Sequence, residues 1–307
     1  MLWIGLGLLA LVAGLAVWAW TPDRPRAELE ARYLRGPQDY VIVDGMRLHV
    51  RDDGPRGAPV LILIHGFGAS LHTWEPWAAD LARDHRVISF DLPGHGFSDP
   101  MPDGNYRVVP TVGLLTRLMD ALGVARATLI GNSLGGEVAW RAAVEAPDRV
   151  ERLVLIAPSG FLSPGQEYGE PLKIPGWLAI IEHALPRVLI AQSLKSYYGD
   201  PSRLTDATID RYWDMLRVPG VRAALVSRMG QFIVNDPHPL LPRIRVPTLL
   251  MWGERDIVIP FSGAPAFAGL IPDARRASYA DVGHMPMEEV PERSLSDLRA
   301  FLAATGG

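Results

Sequence analysis

Gly131-Asn132-Ser133-Leu134-Gly135 constrains this chain more than any other stretch. It follows a short apolar run, Ala127 to Ile130, and opens a helix-like segment from Ser133 to Glu145. Strand, sharp turn and helix in that order make the elbow that a G-x-S-x-G sequence requires, with the serine hydroxyl lifted clear of a sheet. The two glycines are needed because side chains there would collide as the backbone bends. A lone G-x-S-x-G often marks an ordinary turn. Here His65-Gly66-Phe67-Gly68 lies upstream and Asp256 and His284 lie downstream, each just after a predicted strand.

The flanking sequence supplies the sheet. Tyr40 to Val43 and Met46 to Arg51 read as a hairpin around Asp44-Gly45. Further strand-like runs are Val60–Ile64, Arg86–Phe90, Ala127–Ile130, Arg152–Ile156, Pro247–Trp252 and Ala274–Tyr279. Helix-like segments lie between most of them: Glu75–Arg83, Val108–Leu122, Ser133–Glu145, Ala264–Leu270 and Pro291–Ala304. Buried apolar strands alternating with helices predict a mostly parallel, doubly wound α/β sheet. Sites in such sheets lie at the carboxyl ends of the strands, where Ser133, His65, Asp256 and His284 all fall.

The alternation breaks between Ser159 and Arg245, where no strand is evident and the helical candidates are Gly176–Ala184, Arg187–Tyr198, Thr205–Leu216 and Pro219–Val234. Thr205 suits an N-cap and Pro219 a first helical turn. Residues 159–245 therefore read as a helical lid inserted between two parts of one core, 39–158 and 246–307. The lid is greasy at Ile174, Trp177, Leu178, Ile180, Ile181, Leu185, Val188, Leu189, Ile190 and Leu194. Packing on the core accounts for most of these, and an acyl-chain tunnel for a minority.

The 307 residues suffice for one large domain with an inserted subdomain. A net charge of −4 argues against a nucleic-acid surface. Only two of the 30 basic residues, Lys173 and Lys195, are lysines, which reads as coding bias rather than function. There is no cysteine, so disulfides, thiolate catalysis and cysteine-ligated metals are excluded.

Residues 1–20 stand apart. Leu2 to Trp20 carries no charge, and a helix of that length spans ~28 Å, close to a bilayer core. Trp3, Trp18 and Trp20 sit near its ends, where interfacial aromatics belong. The expectation is a single-pass membrane anchor followed by a linker, 21–38, which is polar and helical. Arg24, Arg26, Arg32 and Arg35 after the span favour a cytoplasmic catalytic domain. The rival is a signal peptide cut after Ala19, giving a secreted protein, although no basic region precedes the run.

A serine hydroxyl is a poor nucleophile at neutral pH and needs a base, itself held in one tautomer by a third group. Of eight histidines, His284 in Gly283-His284, between the last strand and the last helix, fits the base. His65 sits where backbone amides matter more than the imidazole. Asp91 and His95, in Asp91-Leu92-Pro93-Gly94-His95-Gly96, read as loop architecture. Asp256 fits the acid, with Glu254 and Asp281 as rivals. The chain order Ser133, Asp256, His284 is that of one fold family. An oxyanion hole needs two amides aimed at one point. Leu134, at a helix N-terminus, offers one and Phe67 the other.

These residues resemble the α/β-hydrolase superfamily, over nearly everything from Tyr40 to the C-terminus. The matches are His65-Gly66-Phe67-Gly68, Asp91-Leu92-Pro93-Gly94-His95-Gly96-Phe97-Ser98, Gly131-Asn132-Ser133-Leu134-Gly135-Gly136, Gly253-Glu254-Arg255-Asp256 and Gly283-His284. Ser133 sets the chain apart from haloalkane dehalogenases and epoxide hydrolases, which carry aspartate there. Carbon–carbon bond hydrolases share the Gly-Asn-Ser elbow but usually carry tryptophan after the histidine, where this chain has Met285. The chain looks most like membrane-anchored monoacylglycerol lipases and small bacterial lipases. That implies hydrolysis of lipid-like esters, medium-chain esters and monoacylglycerol among them, through an acyl-enzyme. No cofactor or metal is implied. The implied partners are a small-molecule ester and the lipid bilayer, with no nucleic acid, and nothing in the sequence sets an oligomeric state. The alternatives are a carbon–carbon bond hydrolase of a vinylogous diketone, and a ligand-binding receptor or scaffold on a hydrolase fold.

Overall fold

A computed structural model describes residues 2–163 and 165–304. Met1 and residues 305–307, at the ends of the expected first and last segments, and Pro164 in the expected lid lie outside the described residues. After α1 (Leu2–Ala19) and α2 (Arg26–Tyr33), β1 (Tyr40–Val43) and β2 (Met46–Asp53) form the expected hairpin. Asp44 and Gly45 turn it with φ of 51° and 79°, the left-handed pair that a two-residue hairpin loop requires. There follow β3 (Val60–Ile64), α3 (Glu75–Leu81), β4 (Arg86–Phe90), α4 (Val108–Ala121), β5 (Ala127–Asn132), α5 (Leu134–Glu145) and β6 (Val150–Ile156). An insertion carries α6 (Arg187–Tyr197), α7 (Asp206–Leu216) and α8 (Val221–Gly230). The chain then returns as β7 (Thr248–Gly253), α9 (Gly263–Leu270), β8 (Ala274–Tyr279), α10 (Pro286–Glu289) and α11 (Pro291–Ala304).

The strands form one eight-stranded sheet in the order β1-β2-β4-β3-β5-β6-β7-β8. β2 is antiparallel to β1 and β4, and from β4 to β8 every pairing is parallel. Along β3, Ile62 and Ile64 join one apolar cluster with α4, α5 and α9. Leu61 and Leu63 join a second with α3, α11 and the insertion helices. Successive strand side chains face opposite sides, so both faces are buried and the strands read as continuous apolar runs.

Helix α5 lies unusually close to the sheet. A Cβ built on Gly135 would stand 2.1 Å from the Ile64 carbonyl oxygen. No side chain fits there, which explains the second glycine of the elbow.

The N-terminal expectation is corrected. Among the described residues, no helix is long and apolar enough to cross a membrane. α1 comprises 18 residues, ~27 Å of helix against a hydrocarbon core of ~30 Å. Trp20, counted in the apolar run, has left the helix. It pairs with Ala184 in an antiparallel bridge and stacks on His183 at 5.8 Å. The Thr21 amide donates to the His183 carbonyl at 2.8 Å. The run is thus clipped by a contact to the insertion. The expected transmembrane anchor, the membrane localisation with its orientation, and the bilayer as a partner through this helix do not hold.

The segment expected as a linker is docked. Leu29 is fully buried, and Arg24, Arg32 and Tyr33 donate to the buried Asp214 carboxylate of α7 at 3.0, 2.7 and 2.9 Å. Within the insertion, Gly176–Glu182 is a 3-10 helix rather than an α-helix, entered from Pro175.

Gly135→Ala should destabilise the fold by on the order of 1–3 kcal/mol or more through overpacking. The urea midpoint reads this directly. A midpoint equal to wild type would contradict the close seating of α5 on β3.

Candidate active site

Ser133 sits between β5 and α5 with φ +54°, a region that costs a non-glycine residue energy and that clusters at functional sites. Its amide donates to the Ile156 carbonyl at 3.0 Å, and its carbonyl accepts from Glu137 and Ser159 at 3.0 and 3.1 Å. The strained turn is therefore over-determined. Leu134 opens α5, so its amide is at the positive end of the helix dipole.

His284 lies in the loop between β8 and α10. Its Nδ1 is 2.7 Å from Asp256 Oδ2, both groups buried. The other oxygen of Asp256 accepts the amides of Val258 and Ile259 at 2.8 and 2.9 Å. The two rival carboxylates are engaged elsewhere. Glu254 accepts from the Ser278 hydroxyl. Asp281 pairs with Arg203 and Arg293 at 2.7 and 2.8 Å, contacts that hold its carboxyl well below the usual range.

Gly66 brings the His65–Gly68 loop onto the elbow. A Cβ there would lie 3.0 Å from Asn132 Oδ1 and 3.2 Å from Ser133 Cβ. Phe67 is partly exposed beside it. His65 does not face solvent. Its Nδ1 donates to the Gly66 carbonyl at 2.7 Å and its Nε2 accepts the Leu92 amide at 2.9 Å. Burial, partly opposed by Asp91, lowers its pKa and keeps it neutral, so it acts as a bracket for the loop. Asp91 is a hub for the same region. It accepts the Leu71 and Phe97 amides at 2.7 and 2.9 Å and contacts His49 Nδ1 at 2.7 Å. Burial pushes Asp91 up, but His49, His65 and His72 around it together hold its carboxyl below the usual range. His95 is buried and driven well below its ordinary pKa by that burial.

Several positioning residues carry no sequence signal. The Asn132 amide donates to the carbonyls of Ile156 and His284, both at 3.2 Å, tying the histidine loop to the elbow. The His284 amide donates to the Tyr197 carbonyl at 2.6 Å, and the Tyr197 ring meets the imidazole edge-on at 6.0 Å. Buried Glu289 accepts the amides of Gly199, Asp200 and Gly283 at 3.1, 2.8 and 2.8 Å. An asparagine inside the elbow motif was visible as a residue but not as a tie. Glu289 offered nothing to find.

Two cavities reach this region. One, of about 210 Å3, is bounded by Phe67, Ile181, Leu185, Leu194, Tyr197 and Met229. The other, of about 360 Å3, is bounded by Tyr106, Leu134, Arg141, Arg228, Gln231 and Phe232, with further residues. Near the second, Glu137 is buried on α5, its Oε2 without a hydrogen-bond partner. Burial raises its pKa to about 7, against the pull of Arg141 and Arg228. Among the described residues, no group of three or more histidines, aspartates or glutamates is placed to hold a metal ion.

A profile of the α/β-hydrolase fold matches residues 59–291, three quarters of the chain. The chain belongs to the α/β-hydrolase fold family. This hydrolase is 31% identical over 253 residues to the dihydrolipoyllysine-residue acetyltransferase component of the acetoin cleaving system of Cupriavidus necator. That match covers 80% of this chain and 64% of the other, so the chain spans less than two thirds of that relative. It is 28% identical to the 2-hydroxy-6-oxo-6-phenylhexa-2,4-dienoate hydrolase of Burkholderia cepacia, over 79% of this chain and 86% of that one. A crystal structure of a membrane phospholipase A, described as a bacterial virulence factor, superposes with a TM-score of 0.75 at 27% identity, covering 99% of this chain and 98% of that one.

Glu137 gives a pH-dependent stability. Its folded pKa of about 7 lies above the ordinary 4.5, so the folded state keeps a proton that the unfolded chain has released. Its contribution is whole below about pH 4.5 and is lost as pH rises through about 7, on the order of 3 kcal/mol in all. Glu137→Gln removes that slope. The difference in urea stability between variant and wild type should therefore shift in favour of the variant from pH 5 to pH 8. A difference that stays constant with pH contradicts the assignment.

Proposed function

We propose that this hydrolase cleaves carboxylic esters of lipid-like substrates through an acyl-enzyme. The observation that carries the reading is the 2.7 Å contact of His284 Nδ1 with Asp256 Oδ2. It commits one ring nitrogen to the carboxylate and leaves Nε2 free for proton transfer at the elbow. In this mechanism His284 Nε2 takes the proton of Ser133 as Oγ attacks the ester carbonyl. The amides of Phe67 and Leu134 hold the developing oxyanion. The intermediate collapses with loss of the alkoxy group, which receives the proton from His284. Water, deprotonated by His284, then attacks the acyl-enzyme and releases the acid and Ser133.

In this reading residues 159–245 form a helical lid over the elbow. The apolar cavity under it, bounded by Ile181, Leu185 and Leu194, takes the acyl chain. A carbon–carbon bond hydrolase is the second reading, favoured by the likeness to the dienoate hydrolase of Burkholderia cepacia. Against it stands Met285, buried in place of a tryptophan.

A fluorophosphonate should label wild type and not Ser133→Ala, which should lose several orders of magnitude in turnover. Full labelling of the alanine variant would remove Ser133 from the mechanism. Asp256→Asn should keep the fold and lose most of kcat, through the wrong histidine tautomer. Near-wild-type activity would mean that another carboxylate serves.

Each methylene buried in the apolar cavity contributes ~0.8 kcal/mol. In a p-nitrophenyl series from two to sixteen carbons, kcat/KM should therefore rise from acetate to medium chains. Monoacylglycerols should be cleaved, and long triacylglycerols less well. A preference for acetate without glyceride hydrolysis contradicts the lipid reading. Turnover of a vinylogous diketone in place of all esters would select the second reading.

A further inference from the structure

The cavity that ends on Leu134 carries more positive charge than the mostly apolar one that ends on Phe67, where Arg222 is the one arginine in the lining among the described residues. Three arginines, Arg107, Arg141 and Arg228, line it, and no acidic side chain does so among the described residues. Arg228 is 3% exposed and Arg141 8%. The Nη atoms of Arg228 donate to the Tyr106 and Pro93 carbonyls at 2.9 and 3.5 Å, and the guanidinium lies 5.1 Å from the Tyr106 ring centre. One nitrogen of Arg141 pairs with Glu145 at 3.1 Å. In both arginines the Nε–H is buried and has no partner.

A buried charge is costly unless something neutralises it. Arg228 and Arg141 make the wall of one cavity beside the elbow positive, and an oxyanion bound there would offset that charge. Guanidinium donors match carboxylate and phosphate oxygens in charge and in planar geometry.

We propose that this cavity binds a carboxylate or phosphate carried on the leaving-group side of the ester, with Arg228 and Arg141 supplying the donors. The inference rests on the ester-hydrolase reading for the word ester, but the anion site itself stands on the two arginines. The substrate class is then an amphiphilic ester, with its acyl chain in the cavity at Phe67 and its anionic end in the cavity at Leu134. The flanking groups agree. Glu137 near the arginines has its pKa raised to about 7 by burial, so near neutral pH it offsets their charge only in part. Burial lowers Arg228 only to about 10, which leaves it charged.

The test uses octanoyl esters of glycerol, glycerol 3-phosphate and 3-hydroxypropanoate, which share an acyl chain and differ in charge. The ratio of kcat/KM for each anionic ester to that for the glycerol ester is measured in wild type, Arg228→Gln and Arg228→Lys. The ratio should fall at least tenfold in Arg228→Gln and recover in part in Arg228→Lys. The phosphate and carboxylate arms tell which oxyanion the site prefers. A ratio unchanged in Arg228→Gln overturns the proposal. Should Arg228→Gln not fold, by thermal melt, Arg141→Gln carries the same comparison.

A second arm is independent of turnover. Glycerol 3-phosphate and 3-hydroxypropanoate are titrated calorimetrically into Ser133→Ala, with and without Arg228→Gln or, if that does not fold, Arg141→Gln. Binding of one of them that weakens at least tenfold with the arginine removed supports the anion site, even where wild type cleaves no ester and the ester reading fails. Absence of millimolar binding by both, or equal affinity in the two proteins, overturns it.

Discussion

Helix α5 touches the backbone of β3, and this contact sets the position of the whole candidate site. With a methyl group at Gly135 the Ile64 carbonyl would be 2.1 Å away, so only hydrogen can stand there. The close seating forces the turn from β5 into α5 to be short. That in turn gives Ser133 its positive φ and presents the helix N-terminus at the carboxyl end of β5. Asn132 then draws the histidine loop in from three strands away through the His284 carbonyl. Gly66 brings the other loop down onto Ser133. Three loops from distant parts of the chain thus meet at a point fixed by one missing side chain.

The centre of the sheet was legible because its strands are buried on both faces. Val60–Ile64 and Arg86–Phe90 are bounded in the structure as the sequence reading bounds them, and so is the largely exposed edge strand Ala274–Tyr279. The strand read as Ala127–Ile130 runs on to Asn132, and the one read as Pro247–Trp252 runs from Thr248 to Gly253, ends that hydrophobicity alone places early. The elbow, His284 and Asp256 were legible from motif and strand-end position. The choice among Asp256, Glu254 and Asp281 needed geometry, because all three lie within one loop of a strand end. Glu289, Tyr197 and Arg228 act through tertiary contacts between segments far apart in sequence, and no local pattern carries such information.

The N-terminal run was misread for a related reason. Uniform apolarity has no periodicity, so hydrophobicity gives no sign of where the helix stops. The stop is set by Trp20 and Thr21 pairing with Ala184 and His183, a contact to a segment some 160 residues away. In the insertion Thr205 caps α7 as read, but Pro219 lies ahead of α8, whose N-cap is Gly220, and Gly176–Glu182 winds more tightly than an α-helix, a choice that local propensity does not settle.

Asp214 links two parts of the chain that the sequence keeps far apart. One buried carboxylate on α7 receives Arg24, Arg32 and Tyr33 from the segment ahead of the sheet. Mechanically, α2 and α7 are a single lever. Any displacement that lifts α7 must carry α2 with it or strand a buried charge, which costs about 3–5 kcal/mol where a partner is removed. Movement within the insertion is therefore confined to stretches that do not carry Asp214, or else it takes the segment ahead of the sheet along with it.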